Sequence, residues 1–271
     1  MDIVRGVLSA LKNNGIAQAY GFANGRDIAI EPGLTEILKY WLKAGYPLGN
    51  HSYNHTDLNK VTVQVYISDI EKMDRLLQTL SNVSDLIGRR RVYRYPFLDE
   101  GNTLEKRDAV RAYLFKKDYK IAEVTIDYSD WAWNGAYSRC TSQQDQKSLA
   151  WLKAHFVDGA ERSLRSSKAI AQLLFGRDIA QILLVHDSAY NAIMLDTVLR
   201  ELHRQGVKFI TVDEALADPV YKMNPNFAYK IGLTFLEQVA ASRGVDITEL
   251  ADTPYTIDGL NEICSEQPAP K

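Results

Sequence analysis

Ile182-Leu183-Leu184-Val185, followed at once by His186-Asp187, is the stretch on which the fold turns. An unbroken aliphatic run of this length reads as a strand buried on both faces, as in parallel sheets. Its surroundings keep the same rhythm. Downstream, Leu195 to Gln205 has helical period and Val207 to Val212 reads as a strand. Upstream, Lys120 to Ile126, Val92 to Tyr95 (stopped by Pro96) and Ile16 to Phe22 read as strands, with Asn24-Gly25 as turn chemistry. Between them lie amphipathic helices. One carries Ile3, Val4, Val7, Leu8 and Leu11 and ends at Asn13-Asn14-Gly15; the next carries Leu34, Ile37, Leu38, Trp41 and Leu42 and stops at Gly45. Further helices carry Val65, Ile70, Met73, Leu76, Leu77 and Leu80; Thr103 to Lys117, with Thr103 as N-cap; and Leu149, Trp151, Leu152 and Phe156. Strict alternation predicts an α/β fold with a parallel sheet and crossover helices, either a barrel or a doubly wound sheet. Such domains usually open on a strand, whereas this chain opens on a helix.

After Pro219 the rhythm changes. Phe227 to Ser242 reads as one amphipathic helix, Ile247 to Ala251 as a further turn, and Gln267 to Lys271 as a frayed tail. Residues 1–218 are therefore read as the working domain and 219–271 as a helical extension packed on it.

Composition narrows the class. In 271 residues, 46% are apolar and 24% charged, enough to bury a sizeable core. Against 34 Asp+Glu stand 32 Lys+Arg, a formal net charge of -2, which gives no support to nucleic-acid binding or a polybasic membrane anchor. No apolar run approaches the ~18 residues of a membrane-spanning helix. Cys140 and Cys264 form no CxxC and are too few for a disulfide framework; a single bridge between them stays open. Met1 to Arg5 lacks the order of a secretory signal, so the chain is expected to be cytoplasmic or to have had a leader removed.

Residues of catalytic type gather just after the strands, where parallel α/β folds build their sites. His51 and His55 are four residues apart, a spacing that puts two imidazoles on one face of a helical turn, able to share a divalent ion; two hydrogen-bonded surface histidines fit the spacing equally well. Arg94, at a strand end, suits a fixed carboxylate, or a plain strand-end salt bridge. Asp127-Tyr128-Ser129-Asp130-Trp131 offers two acids and an aromatic, either a pocket that orients an ionic partner and stacks a sugar or an Asx-rich turn. His186 is placed as a general acid or base, or as a core histidine bonded to backbone. The chain has no glycine-rich phosphate loop and no G-x-S-x-G elbow, and neither cysteine lies in the strand-end cluster.

In order and together, these pieces resemble the polysaccharide deacetylase family (the NodB-homology domain, carbohydrate esterase family 4). His51-Ser52-x-x-His55 resembles its metal-binding motif, Arg94-x-Pro96-Phe97 its R-x-P-[YF] motif, Asp127-x-x-Asp130-Trp131 its D-x-x-D-W motif and Leu184-x-His186 its L-x-H motif. The resemblance spans roughly residues 1–218. It implies a deformed (β/α) barrel with a divalent metal, most often zinc, that removes acetyl groups from an acetylated carbohydrate such as a chitin- or peptidoglycan-type glycan, outside the cytoplasm. It further implies that His51 and His55 are metal ligands and His186 is the acid that protonates the leaving amine. Arg94 would brace the catalytic aspartate, with Asp127 or Asp130 tuning Arg94 or His186. Tyr95, Phe97, Trp131 and Leu184 would line the substrate site, the Phe97 N–H helping to bind the oxyanion.

The family's first motif, T-F-D-D on the opening strand, has no counterpart here, and Asp2 does not replace it. The expectation is therefore a barrel without its first strand, weak metal affinity, impaired turnover, and a homo-oligomer formed through the open seam. Two further readings stay in play: a non-catalytic carbohydrate-binding or scaffold protein, and a hydrolase of small amides or cyclic imides.

Overall fold

The apolar stripe of the first segment forms helix α1 (Asp2–Asn13), whose Val4, Val7, Leu8 and Leu11 are buried. The chain turns at Gly15 in the left-handed region that glycine favours. Then follow β1 (Gly21–Ala23), α2 (Gly25–Ile30), α3 (Leu34–Lys43), β2 (Leu48–Asn50), α4 (Val63–Thr79), β3 (Arg91–Tyr93), α5 (Leu104–Lys116) and β4 (Tyr119–Ile121). After β4 come α6 (Trp133–Ser142), α7 (Gln146–Phe175), α8 (Ala189–Arg204), α9 (Val212–Ala215), α10 (Phe235–Ser242) and a short α11 (Ile257–Glu262). This computed structural model describes residues 1–80, 82–83, 91–252 and 255–265. The tail read at 267–271 lies outside the described residues.

The four strands pair in parallel in the order β1-β2-β3-β4, with Gly21 opposite Leu48, Asn50 opposite Tyr93 and Arg91 opposite Tyr119. The parallel α/β expectation is met, and the strands' carboxyl ends all lie on one side. The strands are shorter than the sequence suggests. The 182–185 run makes one parallel bridge, Leu183 to Ile126, and among the described residues no ladder closes the sheet on itself. Its hydrogen bonds run to one neighbour: Thr125 N–H and Ile126 N–H donate to Ile182 O, and Leu184 N–H to Ile126 O. Ile182 is buried, whereas Leu183, Leu184 and Val185 are half-buried. Residues 207–212, read as a strand, join no ladder among the described residues either, and Val212 begins α9. Phe209 of this segment instead packs between the cores beneath α1 and beneath α7.

Packing around this sheet is helical. Leu195 and Leu199 of α8 share a core with α1, where a Cβ on Gly6 would lie 2.7 Å from Ala192 O. Thr103 caps α5 as the sequence predicts, its hydroxyl accepting from Lys106 N–H. Helix α7 runs unbroken for 30 residues, from an Asp145 cap to left-handed Gly176.

The helix read over 227–242 is correct only for its second half. Thr234 and Glu237 make a reciprocal capping box that starts α10 at Phe235, and Gly232 with Pro225 leaves the preceding residues irregular. Ile247–Ala251 is a turn, as read. The region after Pro219 is packed firmly: Phe235, Leu236 and Val239 meet Ile170 and Leu174 of α7, while Cys264 is disulfide-bonded to Cys140 of α6.

Beneath β3 and β4 lies a buried ionic network. Glu100 pairs with Arg107 (2.9 Å) and Arg111 (2.8 Å), Arg111 reaches Glu123 (3.0 Å), and Gln238 of α10 donates to Glu100 (2.9 Å).

Candidate active site

Each strand end delivers one piece of the site. After β2, Asn50 accepts from Ser52 N–H through its Oδ1 (2.9 Å), and Ser52 Oγ accepts from Thr56 N–H (3.0 Å). Asp69, buried on α4, accepts from Asn54 N–H (2.9 Å) and the Thr56 hydroxyl (2.8 Å). These bonds wind residues 51–56 into a loop, with Ser52 and His55 at φ +59° and +56°. The helical turn expected for the His51/His55 pair is therefore absent. The left-handed turns bring the rings together instead, their centroids 4.9 Å apart.

His51 is fixed further by its neighbour strand. Its Nδ1–H donates to Arg94 O (2.8 Å), which leaves Nε2 with a free lone pair. Burial pushes the His51 imidazole down to about 3, and burial also lowers His55; the charge of His186 lowers both. Both rings are neutral at ordinary pH.

Arg94, at the end of β3, is buried, and its Nε–H donates to Ala122 O (2.7 Å). Its guanidinium lies over the Phe22 ring, 4.9 Å from the centroid, and Phe22 fits there because Gly49 has no Cβ; one would lie 2.2 Å from the ring. Burial lowers its pKa to about 10, against the longer-range charges of Glu123 and Asp127. No carboxylate among the described residues forms an ion pair with it, so the salt-bridge reading does not hold.

Phe97 and Leu98 follow at φ +57° and +56°. Five of the nine described non-glycine residues with positive φ (Ser52, His55, Phe97, Leu98, Ser129) sit in these strand-end loops, a concentration of strain typical of functional sites. Phe97 is 56% exposed, and its ring stands edge-on to His55 at 4.3 Å. Tyr95, expected beside substrate, points the other way. It is 3% exposed and packs against Tyr66 and Tyr93, because alternate residues of an extended segment face opposite sides.

Asp130 and His186 form the tightest unit. The Asp130 carboxylate is fully buried; it accepts from His186 Nδ1–H (2.7 Å), His186 N–H (2.7 Å) and the Asn191 amide. Asn191 also donates to His186 O (2.7 Å). Burial alone would lower the His186 pKa, but the hydrogen bond and charge of Asp130, with the charge of Asp127, outweigh it and raise it. Nε2 of His186 is left free on a half-exposed ring. Asp127 closes its own turn by accepting from Ser129 N–H (2.8 Å), and burial raises its carboxyl. Trp131 is half-exposed and Leu184 half-buried at the same end of the sheet.

Three contributors escape the sequence reading: Asn191, Asp69 and Phe22. Asn191 is foreshadowed by Ser188, which caps α8 and leaves an amide one turn inside a helix start. Asp69 is the one acid on an otherwise apolar face of α4.

Two neutral imidazoles do not fit a complete zinc site, which takes three protein ligands and usually a charged one. Among the described residues, no group of three or more His, Cys, Asp or Glu is placed to hold a metal ion.

The polysaccharide deacetylase family profile matches residues 2–115. A chitin deacetylase of Arthroderma benhamiae is 24% identical over 219 residues, covering 80% of this chain and 49% of that protein. The peptidoglycan-N-acetylglucosamine deacetylase PgdA of Listeria monocytogenes is 26% identical over 215 residues, covering 79% and 36%. The chain thus spans half or less of the length of these relatives. Among solved structures, a CE4 family pseudoenzyme from Bacillus anthracis shares the fold at TM-score 0.54 and 18% identity, over 79% of this chain and 60% of that one. The profile match over residues 2–115 and these relatives support a polysaccharide deacetylase domain of the NodB type in this chain.

Proposed function

We propose that the loops at the strand ends take an N-acetylated glycan of the chitin or peptidoglycan kind, and that Asp130–His186 is the acid of a deacetylation site. The observation that carries this reading is the buried Asp130 carboxylate, held by three donors and fixing His186 with Nε2 free. In the reaction, water adds to the acetyl carbonyl, the C–N bond breaks, and the amine departs with the Nε2 proton, leaving acetate. The water's own proton passes to solvent. The Phe97 N–H, in its left-handed turn, is the candidate donor to the oxyanion. Trp131 and Leu184 are the candidate walls, and the Arg94 cation favours the developing negative charge. Among the described residues His51 and His55 have no third ligand, so the chemistry rests on the chain's own groups. On the same reading the sheet is a deformed (β/α) barrel. The Cys140–Cys264 bond supports an oxidising compartment, where such glycans are met.

The test is acetate release from N-acetylglucosamine oligomers. We expect release that falls by ~10²-fold or more in His186→Ala, and none from a cyclic imide. Equal rates in the variant, or turnover of the imide, overturn the proposal. That His51 and His55 have no third ligand among the described residues favours one second reading, a glycan-binding domain without turnover. Oligomer binding with no acetate released would select it.

A further inference from the structure

Residues 224–234 run as an irregular strap between the turn at Pro219–Lys222 and α10. They are pinned along their length. Arg107 Nε–H and Asn226 N–H both donate to Asn224 Oδ1 (3.2 and 3.1 Å), and Asn59 Nδ2–H donates to Lys230 O (3.1 Å). Gln238 Nε2–H donates to Leu233 O (3.1 Å), and Phe235 N–H to Val124 O (2.8 Å). At Gly232 the strap lies against the Phe97 turn so closely that a Cβ would fall 1.8 Å from Phe97 O. Only glycine allows that approach.

Between these pins the strap turns large apolar groups outward: Tyr229 is 50% exposed and Ile231 64%. The Tyr229 ring is stiffened by stacking on half-buried Phe227, centroids 5.8 Å apart at 22°. A segment this well fixed has no need to expose such groups for folding, and at Gly232 it touches the Phe97 turn of the site. From His55 the row passes to Phe97, whose carbonyl meets Gly232, and on to Ile231 and Tyr229. The occupant that suits one exposed aromatic face, next in the chain to the exposed Lys230, is a sugar ring. Its C–H face stacks on the aromatic while its hydroxyls meet polar neighbours.

We propose that Tyr229, with Ile231 beside it, forms a remote sugar subsite that engages a further residue of the glycan whose N-acetyl group sits at His186. The strap thereby sets a preference for longer chains. This inference rests on the glycan reading above.

Calorimetric titration of the full chain with an N-acetylglucosamine dimer and hexamer tests it, with Tyr229→Ala and Tyr229→Phe compared after melting curves establish that both fold. The hexamer is expected to bind wild type more tightly than the dimer. Tyr229→Ala should lose about tenfold for the hexamer, the scale of one aromatic contact, with dimer binding unchanged and Tyr229→Phe retaining hexamer affinity. Equal dimer and hexamer affinities in wild type, or an unaffected hexamer in Tyr229→Ala, overturn the subsite alone. Failure of either oligomer to bind wild type overturns the glycan reading and the subsite with it.

Discussion

Asp130 Oδ1 lies 2.7 Å from Nδ1 of His186, and the aspartate carries no solvent-exposed surface. A carboxylate buried this way is tolerable because three donors satisfy it, and its charge is spent on one imidazole. Removing the charge while keeping the shape, as in Asp130→Asn, should let burial dominate and drop the His186 pKa below its ordinary value. An NMR titration of the ring should show this shift, alongside a ~10²–10⁴-fold fall in acetate release. The raised pKa also fixes a sign. The pair's contribution to stability is fully present below pH 6.5 and is lost as pH rises through the folded-state value, and Asp130→Asn should abolish that dependence.

His51 should behave in the opposite way. Burial holds it neutral down to about pH 3, so its ring resonances should not titrate between pH 8 and 5, whereas those of His186 should titrate above the ordinary imidazole value. The unfolded chain binds this proton near pH 6.5, so the fold should lose stability as pH falls from there toward 3. His51→Gln should flatten that part of the stability profile, and an unchanged profile contradicts the placement.

The network of Glu100, Arg107, Arg111 and Glu123 predicts a stability effect away from the chemistry. Arg111→Met leaves Glu100 with one cation and takes from Glu123 the guanidinium it pairs with among the described residues. Breaking a buried pair in this way costs about 3–5 kcal/mol. Urea denaturation measures it, and a loss below ~1 kcal/mol would show that the network is solvated.

The Cys140–Cys264 bond closes a loop with a sequence separation of 124, for which the chain-entropy account gives about 5 kcal/mol and strain or residual structure usually less. Cys140→Ser with Cys264→Ser should lower the melting temperature and release Leu260 from the core it shares with Trp133 and Phe156. Reduction of the wild type should have the same effect, and a melt insensitive to both contradicts the packing of α11.

Much of the fold is legible in the sequence because it is written in periodicity. The stripe Val4, Val7, Leu8 and Leu11 and the Thr103 cap act locally, so they read correctly. Strand lengths do not, since a strand exists only where a neighbour supplies its ladder, and Leu183 finds one on one side alone. At the site, residue types and strand-end positions are legible, while the means of assembly are not. The His51/His55 pair depends on Ser52 and Asp69, and His186 on Asn191, through contacts made across the chain rather than at short spacing. Tyr95 is misread because a motif names its neighbours without saying which way each ring points.

The glycan reading stands or falls on whether the loops around His186 receive an N-acetylated sugar. It is tested most directly by recording the imidazole and aromatic resonances of the intact chain while N-acetylglucosamine tetramer is added, with the fully deacetylated tetramer as control. The acetylated sugar should shift His186, Phe97 and Trp131 together and leave His155 and His203 unmoved, and the control should shift them far less. Shifts confined to His155 or His203, or identical responses to the two sugars, would contradict the account.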